Sequence, residues 1–84
     1  MTLFWQPGAR IKVNTDAMAI PQTIIWQGKV HVVASIAQRW RVDTGWWRWR
    51  IWREYWKLTT HSGLLLVMYR DVLHGDWYLQ RLYD

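Results

Sequence analysis

Tryptophan and arginine are concentrated in one short stretch of the chain. Residues 39 to 57, RWRVDTGWWRWRIWREYWK, hold six of the nine tryptophans and six of the eleven Lys and Arg residues. Indole rings stack on nucleobases and guanidinium groups pair with phosphates, a combination typical of sequence-tolerant binding to single-stranded nucleic acid. Trp and Arg are also the residue types most enriched at the centres of protein interfaces. The stretch therefore predicts a surface that binds a polyanion or a protein.

The spacing within this stretch predicts which side chains lie together. Successive side chains of an extended strand point to opposite faces, so Trp47, Trp49 and Ile51 share a face opposite Arg48 and Arg50. Indoles and guanidiniums are thus expected on opposite sides. The candidate binding residues are the basic face and two arginines that precede it: Trp46, Arg48, Arg50, Trp52, Arg39 and Arg41.

Three other interpretations of the Arg/Trp stretch stay open. The tryptophans can form the core while the arginines are solvated, and an arginine can stack on a tryptophan of the same molecule. The stretch can also form a basic amphipathic helix on anionic lipid.

Catalytic chemistry is not predicted by the other residues. The chain has no cysteine, which excludes a thiolate nucleophile, a disulfide and a Cys-based zinc site. The only serine next to a histidine is Ser62, in a predicted turn without the strained elbow of hydrolase nucleophiles. The histidines show no paired ligand spacing: His31, His61 and His74. We expect no catalytic residue, metal or cofactor, and no enzymatic activity.

Charge and hydropathy limit the partners. The formal net charge is +5 and the sequence pI is about 10.1, so polyanions or acidic surfaces are favoured. No apolar run approaches the roughly 18 residues that span a bilayer, and no signal-peptide pattern begins the sequence. These features predict a cytoplasmic protein with no membrane partner.

Strands rather than helices are expected to position these residues. Residues 23–26 and 30–33 predict a hairpin around a short loop containing Gly28, and residues 43–45 predict the next turn. Six of the seven even positions from 30 to 42 are apolar, which predicts one long strand with a buried even face.

The second half of the chain continues the strand pattern. Trp77, Leu79 and Tyr83 share one parity of a final strand. A helix, which would group Trp49, Trp52 and Trp56, is the competing interpretation of the Arg/Trp stretch.

The length and the strand signals together define a fold class. Eighty-four residues suit a single domain, residues 1–84, with a thin core. The predicted fold is all-β: one small antiparallel meander of about six strands, forming a curled sheet, a roll or a partly open barrel.

Three segments of the chain resemble a known family: GWWR at residues 45–48, REYWKLTT at 53–60 and YRDVLHGDWYLQRLYD at 69–84. They are similar to the hallmarks of a small bacterial family of unknown function. Its members are encoded beside, or fused to, Y-family translesion DNA polymerases of the damage-induced mutagenesis system. The likeness covers roughly residues 10 to 84. It implies a role in DNA repair or damage tolerance but no particular functional residue.

These observations lead to two expectations. The first is a non-catalytic accessory module that binds DNA, single-stranded or polymerase-bound, through the basic Arg/Trp face. The second is a protein interaction module that docks a translesion polymerase, or forms a homodimer, through tryptophans and an exposed strand edge.

Overall fold

The computed structural model describes residues 2–46 and 49–83, with side chains described for 9–45 and 50–83. The six strands, numbered in chain order, are β1 (Thr2–Thr15), β2 (Pro21–Trp26), β3 (Lys29–Trp46), β4 (Trp49–Thr60), β5 (Leu65–Asp71) and β6 (Trp77–Tyr83). Each strand pairs antiparallel with the next, and β1 pairs with β6 to close a barrel. The predicted all-β fold of about six strands is confirmed. No helix within the described residues is long and apolar enough to cross a membrane.

Turn chemistry and strand propensity explain the elements that were predicted. Gln27 and Gly28 join β2 to β3 with φ of 51° and 74°, the left-handed values that a tight two-residue hairpin loop requires. β4 is an unbroken strand through the aromatic residues 49–60, so the competing helix interpretation was wrong. Aromatic and β-branched side chains favour the pleated surface of a sheet.

β3 is long because its first residues pair with β2 and its later residues pair with β4. It pairs with β2 over residues 29–32 and with β4 from Val33 to Trp46. The register shifts around Ala34 and again around Ala37, so each adds one residue that opposes no partner. Each bulge reverses the alternation of faces. The prediction of one continuous buried even face is wrong: Val30 and Val32, before the bulges, are already 63% and 48% exposed, and of the even positions beyond them Trp40 and Val42 are partly buried.

The barrel interior is apolar and draws on five strands. Its buried residues are Ile11, Ile24, Trp56, Leu58, Leu66, Met68, Leu79 and Leu82. The β5–β6 register shifts so that Gln80 is an extra residue, which lets Leu79 and Leu82 both face inward. Tyr83 consequently leaves the parity of Trp77 and Leu79, and its predicted place on their face was wrong.

β3 and β4 extend beyond the rest of the barrel as a two-stranded arm. β5 pairs with β4 only from Arg53 onward, whereas the β3–β4 ladder continues to Trp46 opposite Trp49. Residues 43–45 lie inside β3, so the turn predicted there was wrong. The chain reverses between Trp46 and Trp49, and the two connecting residues lie outside the described part of the chain.

Candidate nucleic-acid interface

The β3–β4 register brings several of the predicted binding residues onto one face. Arg41 lies opposite Glu54, Asp43 opposite Trp52, and Gly45 opposite Arg50. We call the surface formed by the alternating residues of the two strands the arginine face: Arg39, Arg41, Asp43, Arg50, Trp52 and Glu54. It has the same parity as the core residue Trp56, so it continues the inner surface of the barrel out along the arm.

Carboxylates of the same molecule neutralise part of the arginine face. Arg39 Nη2 donates to Glu54 Oε2 at 2.9 Å, and Arg41 Nη2 lies 3.8 Å from Glu54 Oε1. Arg50 donates to both oxygens of Asp43, at 3.1 and 2.9 Å. This bidentate hydrogen bond lowers the pKa of the Asp43 carboxyl and raises the pKa of Arg50. Since the Glu54 side chain is only 12% exposed, its two arginine neighbours satisfy a largely desolvated charge.

Indoles lie under two of these guanidiniums. Arg39 Cζ is 4.3 Å from the Trp56 ring centroid, and Arg50 Cζ is 4.6 Å from that of Trp52. These distances are within the range of cation–π attraction. Arg50 and Trp52 share a face, as predicted, and both pairs show the stacking of an arginine on a tryptophan of the same molecule that was one of the open interpretations. Arg39 and Trp56 meet across the ladder, which alternation along a single strand cannot forecast.

The other predicted face residues are separated by the hairpin reversal. Positions 46 and 49 oppose each other in the ladder, so position 46 has the opposite parity to Arg50 and Trp52. The predicted stripe assumed one uninterrupted strand through residues 46–52. Arg48 lies outside the described residues, as do the side chains of Trp46 and Trp49.

A net positive charge remains on and beside this face. Arg70 lies directly opposite Glu54 on the β5 side and has no carboxylate within ion-pair distance in the described part of the chain. Four arginines, 39, 41, 50 and 70, thus face two carboxylates, which leaves a formal charge of +2. Arg41 is the most accessible of those in ion pairs, with 63% of its side chain exposed and its carboxylate contact at 3.8 Å.

The opposite face of the same sheet carries a ladder of four aromatic rings, and none of these four residues was among the predicted binding residues. Trp40, Tyr55, Tyr69 and Tyr78 lie side by side on β3, β4, β5 and β6, with neighbouring centroids 5.2 Å apart. The Arg53 guanidinium covers Tyr69 at 4.5 Å. The period-two spacing of Arg53, Tyr55 and Lys57 in the sequence indicates this face. The interpretation of the stretch relied on the neighbouring tryptophans, which lie on the other face of β4.

A small concavity lies beside this ring ladder. It encloses about 220 Å³, and its lining residues are Gln38, Trp40, Tyr55, Lys57, Val67, Gln80, Arg81 and Tyr83. We call it the outer pocket. Lys57 Nζ lies 5.4 Å, and Arg81 Cζ 5.8 Å, from the Tyr83 ring centroid. These lining residues include two cations and no carboxylate.

A larger groove lies at the other end of the barrel, where β1 leaves β6 and joins β2. It encloses about 570 Å³ between β1, the β2–β3 turn and the start of β6. Its Arg10 Nη2 donates to Asp76 Oδ1 at 2.9 Å, so an acid offsets one of its two cations. Its electrostatic attraction for an anion is correspondingly weaker than that of the outer pocket.

The histidines and serines form local hydrogen bonds. His31 Nδ1 and Ser62 Oγ are 2.9 Å apart, and Ser62 Oγ lies 2.8 Å from Thr60 Oγ1. The partner of Ser62 is thus His31, not its sequence neighbour His61. His31 Nε2 is buried with no hydrogen-bond partner in the described residues, so no carboxylate orients this ring there. The described ranges contain no group of three or more His, Cys, Asp or Glu residues suited to a metal ion.

Comparisons of the chain with models of protein families, with curated proteins and with solved structures found no match. The kind of ligand that each face can bind is therefore inferred from the residues of this chain alone. The association with translesion polymerases stays a prediction from the three segments quoted above.

Proposed function

We propose that this protein is a non-catalytic accessory module of bacterial DNA repair or damage tolerance, acting in the cytoplasm, that binds nucleic acid through the arginine face. The preferred ligand is single-stranded DNA, free or bound to a polymerase. The repair context comes from the family resemblance, whereas the binding mode comes from the geometry of the face.

The observation that carries the proposal is the placement of guanidiniums over indoles on an extended, exposed ribbon. Arg39 over Trp56 and Arg50 over Trp52 present cations along a β3–β4 surface whose formal charge, with Arg70, is +2. Phosphate groups are attracted to such a surface, and the half-buried Trp52 ring offers a base a stacking partner, whereas Trp56 is buried and supports Arg39 from the core.

The ion pairs on this face set the strength of the interaction. Each guanidinium has five N–H donors, and the hydrogen bonds to carboxylates use one of them in Arg39 and two in Arg50. The remaining donors can reach phosphate oxygens without breaking a pair. Because the carboxylates stay close to any bound phosphate, we expect moderate affinity and a steep dependence on salt.

Titration of a fluorescent single-stranded oligonucleotide at two salt concentrations tests the proposal. If Arg39, Arg41 and Arg50 each contact a phosphate, log affinity falls by about 2 for each tenfold rise in salt, at about 0.7 per contact. The double variant Arg41→Gln plus Arg50→Gln should reduce that slope by about 1.4, because two contacts are removed. Absence of binding at low salt would exclude the function.

A matched variant separates this face from the overall charge. Arg10→Gln removes one cation from β1, which pairs with β2 and β6 and not with the β3–β4 arm; its side chain is 72% exposed and pairs with Asp76. We expect it to change the slope by less than half as much as Arg41→Gln alone. Equal effects would show that only net charge matters.

The protein-docking alternative has one specific observation in its favour. From Gln38 to Gly45, the described β3 ladder has a partner on the β4 side only, since pairing with β2 ends at Val32. Such an edge can accept an added strand from a polymerase or from a second copy. Solution mass by light scattering, with and without a candidate polymerase, tests this possibility.

A further inference from the structure

We infer that the outer pocket is a second ligand site, which takes one nucleotide with its base in the concavity and its phosphate at Lys57. The choice of a nucleotide as ligand rests on the proposed nucleic-acid function. The pocket lies on the face of the sheet opposite the arginine face, so it is separate from the surface proposed above.

Charge is the first argument for an anionic ligand. Lys57 is half-buried, lies over the Tyr83 ring, and has no ion pair with a carboxylate within the described residues. Arg81 lies over the same ring and donates to Tyr83 Oη at 3.1 Å. Both cations border the outer pocket beside the Tyr83 ring, so the positive potential there favours an anionic ligand.

An unmet hydrogen-bond acceptor is the second argument. Gln80 Oε1 is buried and has no hydrogen-bond partner in the part of the chain that the structure describes. Gln80 is the extra residue of the β6 bulge, and bulges often redirect a side chain toward a site. A buried acceptor without a partner is costly, so Gln80, which lines the outer pocket, is favoured to turn this oxygen toward a ligand that brings an N–H group. Cytosine, adenine and guanine each carry an exocyclic amine.

Size and lining specify a planar ring. About 220 Å³ is below the roughly 300 Å³ at which pockets for drug-sized ligands begin, so one ring system fits and a larger ligand does not. Trp40, Tyr55 and Tyr83 provide aromatic surface, and Val67 adds an apolar contact. The base of a nucleotide contacts the aromatic rings and Gln80 in the outer pocket, and the 5′-phosphate of the same nucleotide reaches Lys57 at the edge of the pocket.

Titration of the full chain with dCMP and with inorganic phosphate, followed by NMR, tests this inference. We expect dCMP to shift the Gln80 side-chain amide and Tyr83 ring signals, and to bind about tenfold more tightly than inorganic phosphate, because only dCMP fills the concavity. Equal affinities would show a phosphate site without base recognition and would overturn the inference. Binding of an acidic peptide with no response to dCMP would overturn it as well.

Variants assign the roles of the two polar side chains. Lys57→Gln should weaken dCMP about tenfold, Lys57→Arg should retain affinity within about threefold, and Lys29→Gln, an exposed charge in the β2–β3 hairpin, should leave it unchanged. Gln80→Leu should weaken dCMP but not inorganic phosphate. If Lys57→Gln and Lys29→Gln have equal effects, the site assignment is wrong. Circular dichroism confirms that each variant is folded.

Failure of this inference is distinguishable from failure of the proposed function. Oligonucleotide binding that depends on Arg41 and Arg50, without any response to dCMP, would remove the pocket and keep the function. A dCMP response without oligonucleotide binding at low salt would keep the outer pocket as a ligand site and exclude the proposed function of the arginine face.

Discussion

Glu54 is the residue on which the electrostatics of the arginine face depend. It is 12% exposed, accepts a hydrogen bond from Arg39 and lies near Arg41 and Arg70. It therefore limits the positive charge that a ligand encounters, and it holds Arg39 in place over Trp56. The same carboxylate supports the fold and restrains binding.

Replacement of Glu54 by Gln should separate these two effects. The free energy of unfolding should fall by about 1–2 kcal/mol, because charged hydrogen bonds to a largely buried group are weakened. Oligonucleotide affinity at low salt should rise about threefold to fivefold, since two cations lose their counter-charge. Urea unfolding and the fluorescence titration measure the two quantities.

Asp43→Asn is the matched control for Glu54→Gln. It removes the same charge from an exposed ion pair, in which both side chains are about half exposed. We expect a similar gain in affinity with almost no loss of stability, since surface pairs contribute little. If neither variant binds more tightly, the arginine face does not contact the polyanion.

Asp71 predicts an acid-sensitive contribution to stability. Burial alone would raise its pKa, but hydrogen bonds from His74 and from the backbone of Leu73 outweigh that effect and lower the pKa below 3.8. Because the folded pKa is depressed, the stabilisation is complete above the unfolded value and is lost as pH falls through the folded one. The window therefore opens near pH 4 and extends downward.

The comparison of wild type with Asp71→Asn tests this contribution. Asn keeps an acceptor for Leu73 N–H, removes the charge, and replaces the oxygen that pairs with His74 by an NH2 donor. The difference in free energy of unfolding between the two proteins should be largest above pH 5 and should shrink as pH falls below about 4. A difference independent of pH would show that the charge of Asp71 contributes nothing.

Residue types were a good guide to the arginine face, and residue positions were a poor one. Arg39, Arg41, Arg50 and Trp52 do share a face, as their selection implied. The pairing of Arg39 with Trp56 and Glu54 depends on cross-strand register, which alternation within one strand does not contain. The outer pocket was missed for a similar reason, because its residues come from β3, β4, β5 and β6.

At the scale of the elements, turn chemistry decides where the strands end. The β4–β5 connection contains Gly63 at φ of 91°, with its N–H donated to Thr60 O at 3.0 Å. Leu64 N–H donates to Thr60 Oγ1 at 3.1 Å, which closes the same turn. A side chain at position 63 meets no atom within 4 Å, so the cost of one comes from the backbone conformation alone.

Gly63→Ala should lower the free energy of unfolding by about 1 kcal/mol, because alanine is strained at positive φ. Gly45→Ala is the control for backbone strain, since its backbone is extended; the new Cβ would lie 3.3 Å from Arg50 Cγ, 3.4 Å from Cβ and 3.5 Å from Cα, a contact that a shift of a few tenths of an ångström relieves. We expect a change of at most about 0.5 kcal/mol there. Urea midpoints measure both, and equal losses would contradict the role given to the left-handed turn.

Strand existence was predictable from period-two patterns, whereas the bulges were not. The β2–β3 hairpin, the turn that contains Ser62 and the final strand β6 agree with the predictions. Ala34, Ala37 and Gln80 carry no local signal for the extra residue that each inserts. Their positions follow from the curvature needed to close a barrel, which is a property of the whole sheet. The predicted face of β6 failed at Gln80, whereas the predicted face of β3 was already wrong at Val30, before its two bulges.

At the scale of the whole molecule, one enclosed apolar interior stabilises the barrel. Leu58 and Met68 are completely buried, and Trp56 is 2% exposed. A chain of 84 residues has a total stability of only about 4–13 kcal/mol at 0.05–0.15 kcal/mol per residue, so each of these side chains matters.

Leu58→Ala should remove about 2–5 kcal/mol of unfolding free energy, because it deletes buried methyl groups and leaves a cavity. Val30→Ala, on the exposed exterior of the β2–β3 hairpin, should cost less than about 0.5 kcal/mol. Chemical denaturation followed by circular dichroism measures both. A loss for Val30→Ala as large as that for Leu58→Ala would mean that the packing described for the interior is wrong.

The pairing of the first strand with the last has a consequence for synthesis on the ribosome. Arg10 pairs with Tyr78, so a nascent chain lacking β6 leaves one edge of β1 and one edge of β5 unpaired. Such bare edges recruit strands from other nascent chains. Productive folding must therefore wait until β6 has left the exit tunnel, and the yield of native protein should depend on chaperones that shield β1 in the meantime.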